Sequence, residues 1–523
     1  MRFLYILLFL SSITQGQVSQ QWVARYNNSP TDSVDEASDI AIDKSGNSYV
    51  TGWSMGKNSG FDITTIKYDQ NGNQSWVRKY NGTTNQDDFG YSIIVDSLYN
   101  IYVTGNSNND VATIKYDSAG NFLWAEVYNN ASVYNFSYVK RIAIDKSLNV
   151  YVAAGDFTNN AIILKYNSSG LQQWVGKYNY FSSSWAKAIL IDPLNNIYCT
   201  GSSRNASNND DLFLAKFNSN GILKWSQIYD GGVSADDFGS ALQYDNLSNS
   251  IYVAGATGVQ YYTDFDFITI KYDSTGSQQW LRKYNGVGNG NDQVFDMKLD
   301  AQKNIYITGY SYGNMWDYDY TLIKYNSSGA QMWVATYDNG GTDISNSIAI
   351  DSSCNIYVFG ESNGASSTSA DYALVKFDSS GQQIWNIRYN GTASYYDYGA
   401  IVALYNNSNI YVTGWSDGIN SSSDFLTIKY SQATGLPYET IQNSIIKIFP
   451  NPFSTETTLS INGQLKMNNG EFIMYDIFGR EVKKLSIVNY PLTIQRNDLP
   501  SGIYFYKVSG DGKVLGTGKV IVE

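Results

Sequence analysis

One tryptophan recurs in the same context along most of this 523-residue chain. The copies follow one another at a mean spacing of about 52 residues, in contexts such as QQWVARYN, QSWVRKYNG and QQWLRKYNG. They are Trp22, Trp76, Trp124, Trp174, Trp225, Trp280, Trp333 and Trp385. A repeat of this length has to be interpreted before any single residue, because each unit buries its apolar face only against its neighbours.

Three further runs keep a constant order within each period. An apolar run ending in Asp, such as IAID, precedes an NxYVTG-like run and then a TIKYD-like run. The three runs are rich in β-branched and aromatic residues and are bounded by Gly, Asn, Asp and Ser, which is typical of strands. Four strands in each of eight periods predict an all-β fold, an eight-bladed β-propeller.

The two ends of the repeat region complement each other. Trp22 opens it with an isolated fourth strand, whereas the last unit has three strands, ending at residues 425–430, and no tryptophan after them. We therefore expect the N-terminal strand, residues 21–27, to pair beside residues 425–430 and close the ring.

These runs resemble the beta-propeller repeat of secreted bacterial proteins known as SBBP, whose units look like DxxGNxYVTG followed by DFxTIKYDxxGxxxW. The resemblance covers residues 17–435 and implies the propeller fold. It implies little about function, because propellers host many activities.

The pattern changes after a linker at residues 436–444. Residues 445–523 carry IFPNPF, MYDIFGREV and LPSGIYFYKV, whose alternating apolar residues predict an immunoglobulin-like β-sandwich of about seven short strands. The motifs resemble the type A C-terminal sorting domain of the Bacteroidetes type IX secretion system. That resemblance implies a translocon and a sortase as partners, cleavage of the domain, and attachment to lipopolysaccharide. The motif residues are Pro450, Asn451, Pro452, Asp476, Gly479, Arg480, Gly502 and Lys519. The alternative is an ordinary immunoglobulin-like module.

Residues 1–16 have the pattern of a secretory signal peptide, with Arg2 before an unbroken apolar run at residues 3–10. A buried first strand is the alternative. No later stretch has the roughly 20 apolar residues of a membrane helix, so we expect no transmembrane segment. The predicted location is secreted or on the outer-membrane cell surface.

The chain has no histidine, which excludes the Ser/His/Asp and Cys/His nucleophile systems and His-ligated zinc. Its two cysteines, Cys199 and Cys354, are too few for a disulfide scaffold, and we expect both to be buried. The net charge of −12 comes without any basic cluster, which argues against nucleic acid and anionic membranes as partners.

Function is expected on the loops of one face. First-to-second and third-to-fourth connections are uniform tight turns, in which Asp or Asn caps its own backbone and Gly supplies positive φ. The opposite connections are irregular and rich in aromatic residues, including Trp53, Trp185, Trp316 and Trp415 in or at the edge of these loops. The densest group gives the candidate binding residues, Tyr261, Tyr262, Asp264, Tyr312, Trp316, Asp317 and Tyr318. Packing of Trp316 onto its own blade, and of Trp53 and Trp415 between blades, is the alternative.

An aspartate recurs just before the third strand, at Asp62, Asp110, Asp211, Asp266, Asp319, Asp371 and Asp424, with Asn160 in the third unit. A ring of carboxylates at the mouth of the channel could hold Ca²⁺. Capping of strand ends is the alternative, which we prefer, and no other cofactor is predicted.

We expect a monomeric, non-catalytic binding or adhesion module for an extracellular glycan or protein. A glycosidase or polysaccharide lyase is the first alternative and would have to use a pair of Asp carboxylates, because Glu is scarce in the repeats. A structural spacer in a surface layer is the second.

Overall fold

The computed structural model describes residues 18–28, 33–56, 59–129, 142–156, 158–232, 235–260, 264–313, 317–364, 369–393, 395–419, 421–432, 446–461, 470–476, 480–487, 491–510 and 513–523. The chain divides into two compact units, Met1–Thr434 and Gly435–Glu523. The predicted signal peptide and linker lie outside the described residues. In the described residues, no helix is long and apolar enough to cross a membrane.

The first unit consists of strands joined by short turns. Its first strands are β1 Val18–Tyr26, β2 Asp35–Ile42, β3 Ser48–Met55, β4 Phe61–Tyr68, β5 Gln74–Tyr80, β6 Asp88–Val95, β7 Ile101–Ser107, β8 Asp110–Tyr116, β9 Phe122–Tyr128, β10 Ile142–Ile144, β11 Val150–Gly155, β12 Ala161–Tyr166, β13 Gln172–Tyr178, β14 Ser183–Ile191, β15 Ile197–Arg204, β16 Asp210–Phe217 and β17 Leu223–Tyr229. They are followed by β18 Asp237–Asp245, β19 Ser250–Gln260, β20 Asp264–Tyr272, β21 Gln278–Tyr284, β22 Gln293–Leu299, β23 Ile305–Tyr312, β24 Tyr318–Tyr325, β25 Gln331–Tyr337, β26 Asp343–Ile350, β27 Ile356–Asn363, β28 Ala370–Phe377, β29 Gln383–Tyr389, β30 Asp397–Tyr405, β31 Asn409–Gly418 and β32 Ser421–Gln432.

These strands form antiparallel four-stranded sheets, eight of them within the described residues. Sheets 1 to 7 are β2–β5, β6–β9, β10–β13, β14–β17, β18–β21, β22–β25 and β26–β29, each pairing its strands in chain order. Sheet 8 has the order β1-β32-β31-β30, in which β1 takes the place of a fourth strand. The register of β1 on β32 runs from Val18 opposite Gln432 to Tyr26 opposite Phe425.

Neighbouring sheets pack face to face. The second and third strands of each sheet are buried along most of their length, because a sheet covers each of their faces. Sheets 1 and 2 share a cluster that contains Ile63 and Ile101. A cluster of the same kind joins Tyr68 of sheet 1 to Tyr411 and Phe425 of sheet 8.

The recurring tryptophan of every sheet except sheet 7 forms a hydrogen bond to the next sheet within the described residues. Its indole N–H donates to a backbone carbonyl in the third-to-fourth turn of the following sheet, as Trp225 does to Ser274 at 3.3 Å. Trp22 makes the same contact from β1 to Gln70 of sheet 1 at 3.1 Å. The indole lies against the turn glycine, and a Cβ added at Gly72 would lie 2.6 Å from the Trp22 ring. Gly72 also has φ +85°, so both its conformation and its contact require glycine.

The first-to-second turns are closed by the aspartate that ends the first run. Asp43 Oδ1 accepts the N–H groups of Ser45 and Asn47, and its Oδ2 accepts the phenol of Tyr49 at 3.1 Å. Asp96, Asp145, Asp192, Asp300 and Asp351 make the same phenol contact with the tyrosine of their own sheet. The sequence predicts a glycine at the turn position with positive φ, and the structure differs from this in some turns. Gly46 occupies it in sheet 1, whereas Leu148 and Cys354 adopt φ of 61° and 59° at the same place.

The two cysteines lie in different surroundings, and only Cys354 occupies the turn position with positive φ. Cys199 is buried in β15, as expected. Cys354 is only partly buried, because it lies in a surface turn, where its thiol donates to Gln302 Oε1 at 3.2 Å.

The second unit is formed by β33 Ile446–Phe449, β34 Glu456–Ile461, β35 Gly470–Tyr475, β36 Glu481–Ile487, β37 Leu492–Gln495, β38 Gly502–Gly510 and β39 Lys513–Val522. A three-stranded sheet, β33-β34-β37, and a four-stranded sheet, β36-β35-β38-β39, share one apolar core. Leu459 and Ile494 of the first sheet meet Phe472 and Val508 of the second in that core. The described residues of the second unit thus form seven strands in two packed layers.

Candidate binding face

In the sheets of the first unit, the first and third strands begin at the edge where the second and fourth strands end. We call this edge the variable face. It carries the second-to-third connections, such as residues 205–209, and the fourth-to-first connections, such as residues 179–182.

A buried aspartate at the start of the first strand organises this face. Asp88 and Asp237 are each 1% exposed, and their Oδ2 atoms accept the N–H groups of Gly82 and Gly231 at 2.6 Å. The equivalent residues are Asp35, Asp292, Asp343 and Asp397. Sequence analysis missed this position, although the recurring Asp-Phe-Gly and Asp-Tyr-Gly at the start of the first strand were visible.

The aspartates expected just before the third strands lie within them. Asp62 is in β4 opposite Ser54, and Asp211 is in β16 opposite Ser203. Some of them are neutralised individually, since Arg25 lies 2.9 Å from Asp424 and Arg388 lies 2.7 Å from Asp371. Within the described residues these aspartates do not form a carboxylate ring around a channel, because third strands lie two strands away from those that line the central cavities.

Those cavities are lined by first strands. One of 670 Å³ is bounded by β10, β14, β18 and β22, and one of 410 Å³ by β2, β6, β10, β22, β26 and β30. Isoleucine, leucine, valine and alanine dominate the lining of the smaller cavity, whereas about half of the residues that line the larger one are charged or carry side-chain amides, such as Lys146, Gln243 and Asn246. Asp296 contributes to both but is paired with Lys298 at 3.0 Å. The smaller cavity thus presents little free polar chemistry.

Two groups of three carboxylates do converge on the variable face. In each group one carboxylate oxygen of every residue lies within 4.8 Å of the others. Asp211 in β16, Asp230 after β17 and Asp237 in β18 form one group between sheets 4 and 5, and Asp317, Asp319 and Asp338 form the group in sheet 6. Burial, followed by the charge of Asp338, raises the pKa of Asp319 to about 7. Burial, followed by the charge of Asp230, raises the pKa of Asp211 to about 6.

Part of the predicted aromatic patch is described. Tyr312 and Tyr318 are opposite each other at the end of the β23–β24 hairpin, with ring centroids 5.5 Å apart. Tyr310 adds a third ring 4.7 Å from Tyr318. Asp317 is in the connection, and its carbonyl accepts the N–H of Gly313 at 2.8 Å. The patch therefore contains a half-buried tyrosine cluster.

Asp264 belongs to the neighbouring hairpin, which hydrogen bonds join to this cluster. The carbonyl of Phe265 accepts the N–H of Asp292, and Asp292 Oδ1 accepts the N–H of Tyr312 at 2.9 Å. Tyr261, Tyr262 and Trp316 lie outside the described residues. Whether the whole set converges on one ligand stays a prediction.

The most exposed aromatic residues of this face were missed in the sequence analysis. Tyr180 and Phe181 lie between sheets 3 and 4, and Tyr395 and Tyr396 lie between sheets 7 and 8. Their exposed fractions run from 52% to 64%. The adjacent pairs in NYFSSS and TASYYD were the available signal.

Three of the four non-repeat tryptophans are in strands rather than in loops. Trp53 packs on Phe89 of the next sheet with ring centroids 5.4 Å apart, which is contact between sheets. Trp415 stacks on Tyr398 of its own sheet at 5.6 Å. Trp185, in the first strand β14, lies against Arg204. None of these three is therefore a free loop side chain.

In the second unit, the motif residues stabilise one end of the sandwich. Asn451 donates to the carbonyl of Lys519 at 2.9 Å and accepts the N–H of Ile521 at 2.8 Å. Asp476 accepts from the Arg480 side chain at 2.7 Å. The remaining motif residues are Pro450, whose carbonyl accepts from Thr457, Pro452, which is exposed, and Gly502, which begins β38. Gly479 lies outside the described residues.

Comparison with known families agrees with both units. Residues 21–58 and 76–111 match the family described as beta-propeller repeat, and residues 447–523 match the secretion system C-terminal sorting domain. The chain therefore contains beta-propeller repeats and a secretion system C-terminal sorting domain. Both resemblances read from the motifs are thereby confirmed.

The sorting domain marks this protein for export, so it is secreted or displayed on the cell surface. A curated relative, an uncharacterized WD repeat-containing protein of Acanthamoeba polyphaga mimivirus, is 23% identical over 458 residues. That match covers 68% of this chain and 31% of the relative, so the chain spans about a third of the relative's length.

Solved structures similar to this chain include a protein from Lactobacillus plantarum, at 12% identity and a TM-score of 0.43. That match covers 65% of this chain and 95% of the other. The periplasmic gluconolactonase of Pseudomonas aeruginosa is 11% identical with a TM-score of 0.38, covering 59% and 87% of the two chains. At these scores the likeness carries no functional argument.

Proposed function

We propose that this protein is a non-catalytic binding or adhesion module, built on a closed eight-bladed propeller and delivered to the cell surface by its sorting domain. Closure is supported by the pairing of β1 with β32 and by the Trp22 contact with sheet 1. The apolar cluster shared by sheets 1 and 8 supports it further. Each sheet would then be one blade, and the N-terminal strand would complete the last.

The domain limits follow from the same proposal. Residues 1–16 are the signal peptide, residues 17–435 the propeller, residues 436–444 a linker and residues 445–523 an immunoglobulin-like sorting domain read by a translocon and a sortase. The propeller acts as a monomer.

The exposed aromatic residues carry the binding proposal. Tyr180, Phe181, Tyr395 and Tyr396 project from fourth-to-first loops of the variable face, the face that also holds Tyr312 and Tyr318. Exposed rings at loop tips cost solubility and are suited to stacking on sugar faces or to anchoring a protein. An extracellular glycan or protein is therefore the expected ligand.

A glycan array and a panel of immobilised matrix proteins, probed with the secreted chain, test this proposal. The variant Tyr395→Ala/Tyr396→Ala should weaken binding by roughly 30-fold, as expected for loss of anchor side chains. Phe122→Ala is the matched control, because Phe122 is a similarly exposed ring at the opposite edge of sheet 2. Equal loss in both variants, or no ligand in either screen, would count against a binding face and favour the spacer alternative.

Asp319 makes glycan processing the second candidate. Its raised pKa beside Asp338 is what a carboxyl general acid near a charged carboxylate requires. We expect no cleavage of any glycan that the protein binds. Product release that is lost in Asp319→Asn would replace the binding proposal with an enzymatic one.

A further inference from the structure

One fourth-strand position normally supplies positive charge to the variable face. It lies three residues after the recurring tryptophan and is occupied by Arg25, Lys79, Lys177, Lys283 and Arg388 in sheets 8, 1, 3, 5 and 7. Arg25 and Arg388 reach the third-strand aspartate of their sheets, and Lys177 reaches Asp156 at 2.8 Å. The position therefore compensates the carboxylates that gather there.

Sheets 4 and 6 reverse this charge balance. Their fourth strands have Ile228 and Thr336 at the cationic position. Two residues further on, where the other six repeats have asparagine, they have Asp230 and Asp338. These two repeats alone combine the missing cation with an added carboxylate, and they are the two in which carboxylates converge.

The group between sheets 4 and 5, which is formed by Asp211, Asp230 and Asp237, is the more buried of the two. Asp211 is 2% exposed and Asp237 is 1% exposed, while Asp230 faces solvent. Asp237 Oδ1 is buried and has no hydrogen-bond partner among the described residues, as is also true of the Oδ1 atoms of the equivalent Asp35, Asp88, Asp343 and Asp397. Asp230 is what adds a further carboxylate beside Asp237. Within the part of the chain that the structure describes, none of the three carboxylates forms an ion pair with lysine or arginine.

Three carboxylates so placed match the coordination chemistry of a hard divalent cation. Calcium binds carboxylate oxygens at about 2.3–2.6 Å, so oxygens up to 4.8 Å apart can contact one ion lying between them. The exposed side at Asp230 leaves room for water ligands, which calcium sites accept. A lysine at residue 228 would serve the same electrostatic purpose, as Lys283 does in sheet 5.

We propose that Asp211, Asp230 and Asp237 bind a calcium ion, which replaces the missing basic side chain of sheet 4. A bound cation relieves the mutual repulsion of the three carboxylates, whose oxygens lie within 4.8 Å of one another. The ion would hold the fourth-to-first loop, which contains Asp230, against the third strand.

The test uses the full secreted chain, calcium chloride as the probe, and equilibrium dialysis with melting curves in calcium and in EGTA. We expect binding with a Kd of roughly 10⁻⁴–10⁻³ M, the range of extracellular calcium modules, and a higher Tm in calcium. Ile228→Lys/Asp230→Asn copies the residues of sheet 5 and should bind one ion fewer than the natural chain. Asp230→Asn alone, at an exposed residue, gives the same readout if the double variant fails to fold.

The reciprocal variant is Lys283→Ile/Asn285→Asp in sheet 5, where Asp266 and Asp292 are already present. It should bind one ion more than the natural chain. An unchanged ion count in the folded sheet 4 variants or in this variant would overturn the proposal, as would absence of calcium binding at millimolar concentration.

Discussion

The closure of the ring depends on Trp22, and Trp22→Ala tests it with little change to the rest of the chain. The indole N–H donates to the Gln70 carbonyl, and the ring packs at centroid distances of 6.0 Å from Tyr68 and 5.9 Å from Tyr411. Gln70 and Tyr68 belong to sheet 1, so these contacts cross from β1 of sheet 8 to the neighbouring sheet. The substitution removes them together.

The expected cost follows from those contacts. The hydrogen bond contributes about 1 kcal/mol and each aromatic contact about 0.5–1.5 kcal/mol. Because Trp22 is only half-buried, the total stays below the roughly 3–5 kcal/mol lost when a buried tryptophan is truncated. We expect about 2–3 kcal/mol, which corresponds to a Tm lower by about 2–4 °C for a unit of this size.

Trp225→Ala is the matched control for differential scanning calorimetry. Trp225 makes the same hydrogen bond inside the repeat, donating to Ser274, and packs 6.0 Å from Tyr198 of its own sheet as Trp22 packs on Tyr411. If β1 closes the ring as a regular fourth strand, Trp22→Ala loses at least as much stability as Trp225→Ala. If Trp22→Ala has the same Tm as the natural protein while Trp225→Ala has a lower Tm, closure by the N-terminal strand would be refuted.

Three further predictions concern export, pH and backbone strain. Asn451→Ala removes the hydrogen bonds to Lys519 and Ile521 and should reduce surface display in cell fractionation, as deletion of residues 447–523 should abolish it; full display of the deletion would contradict the sorting role. Burial raises the pKa of Glu361 to about 7 and, as the largest influence, that of Asp397 to about 6. The folded chain therefore holds protons that the unfolded chain releases near pH 4, so stability should fall as pH rises from about 4 to 7. Tm values measured in EGTA at pH 5 and pH 8 check this, and a higher value at pH 8 would contradict it. Leu148→Gly should raise stability by about 0.5–1 kcal/mol, because a leucine in the left-handed region costs more than the extra chain entropy of glycine, and an unchanged urea midpoint would count against that strain.

The repeat was the most predictable feature, since its signals are local. A run such as TIKYD forms a strand wherever it occurs, and an Asp with Asn four residues later closes a turn with its own backbone. The order of four strands and the limits of the sorting domain followed from such signals. The exposure of individual side chains did not follow from such signals. The aromatic pairs at Tyr180 and Tyr395 were therefore overlooked, whereas Trp53, which packs between sheets, was placed at the edge of a binding loop.

The sequence by itself determined that this chain forms repeated four-stranded sheets and a secretion domain, because strand propensity, turn chemistry and motif order act over a few residues at a time. Only the tertiary structure decided which charges meet. Asp211 and Asp237 are on strands of two different sheets, β16 of sheet 4 and β18 of sheet 5, and they become neighbours only because these sheets pack against each other with the starts of both strands at one edge. The effect of replacing a lysine by Ile228 likewise appears only there, because electrostatic energy depends on distance in space and on burial, and neither is encoded by position along the chain.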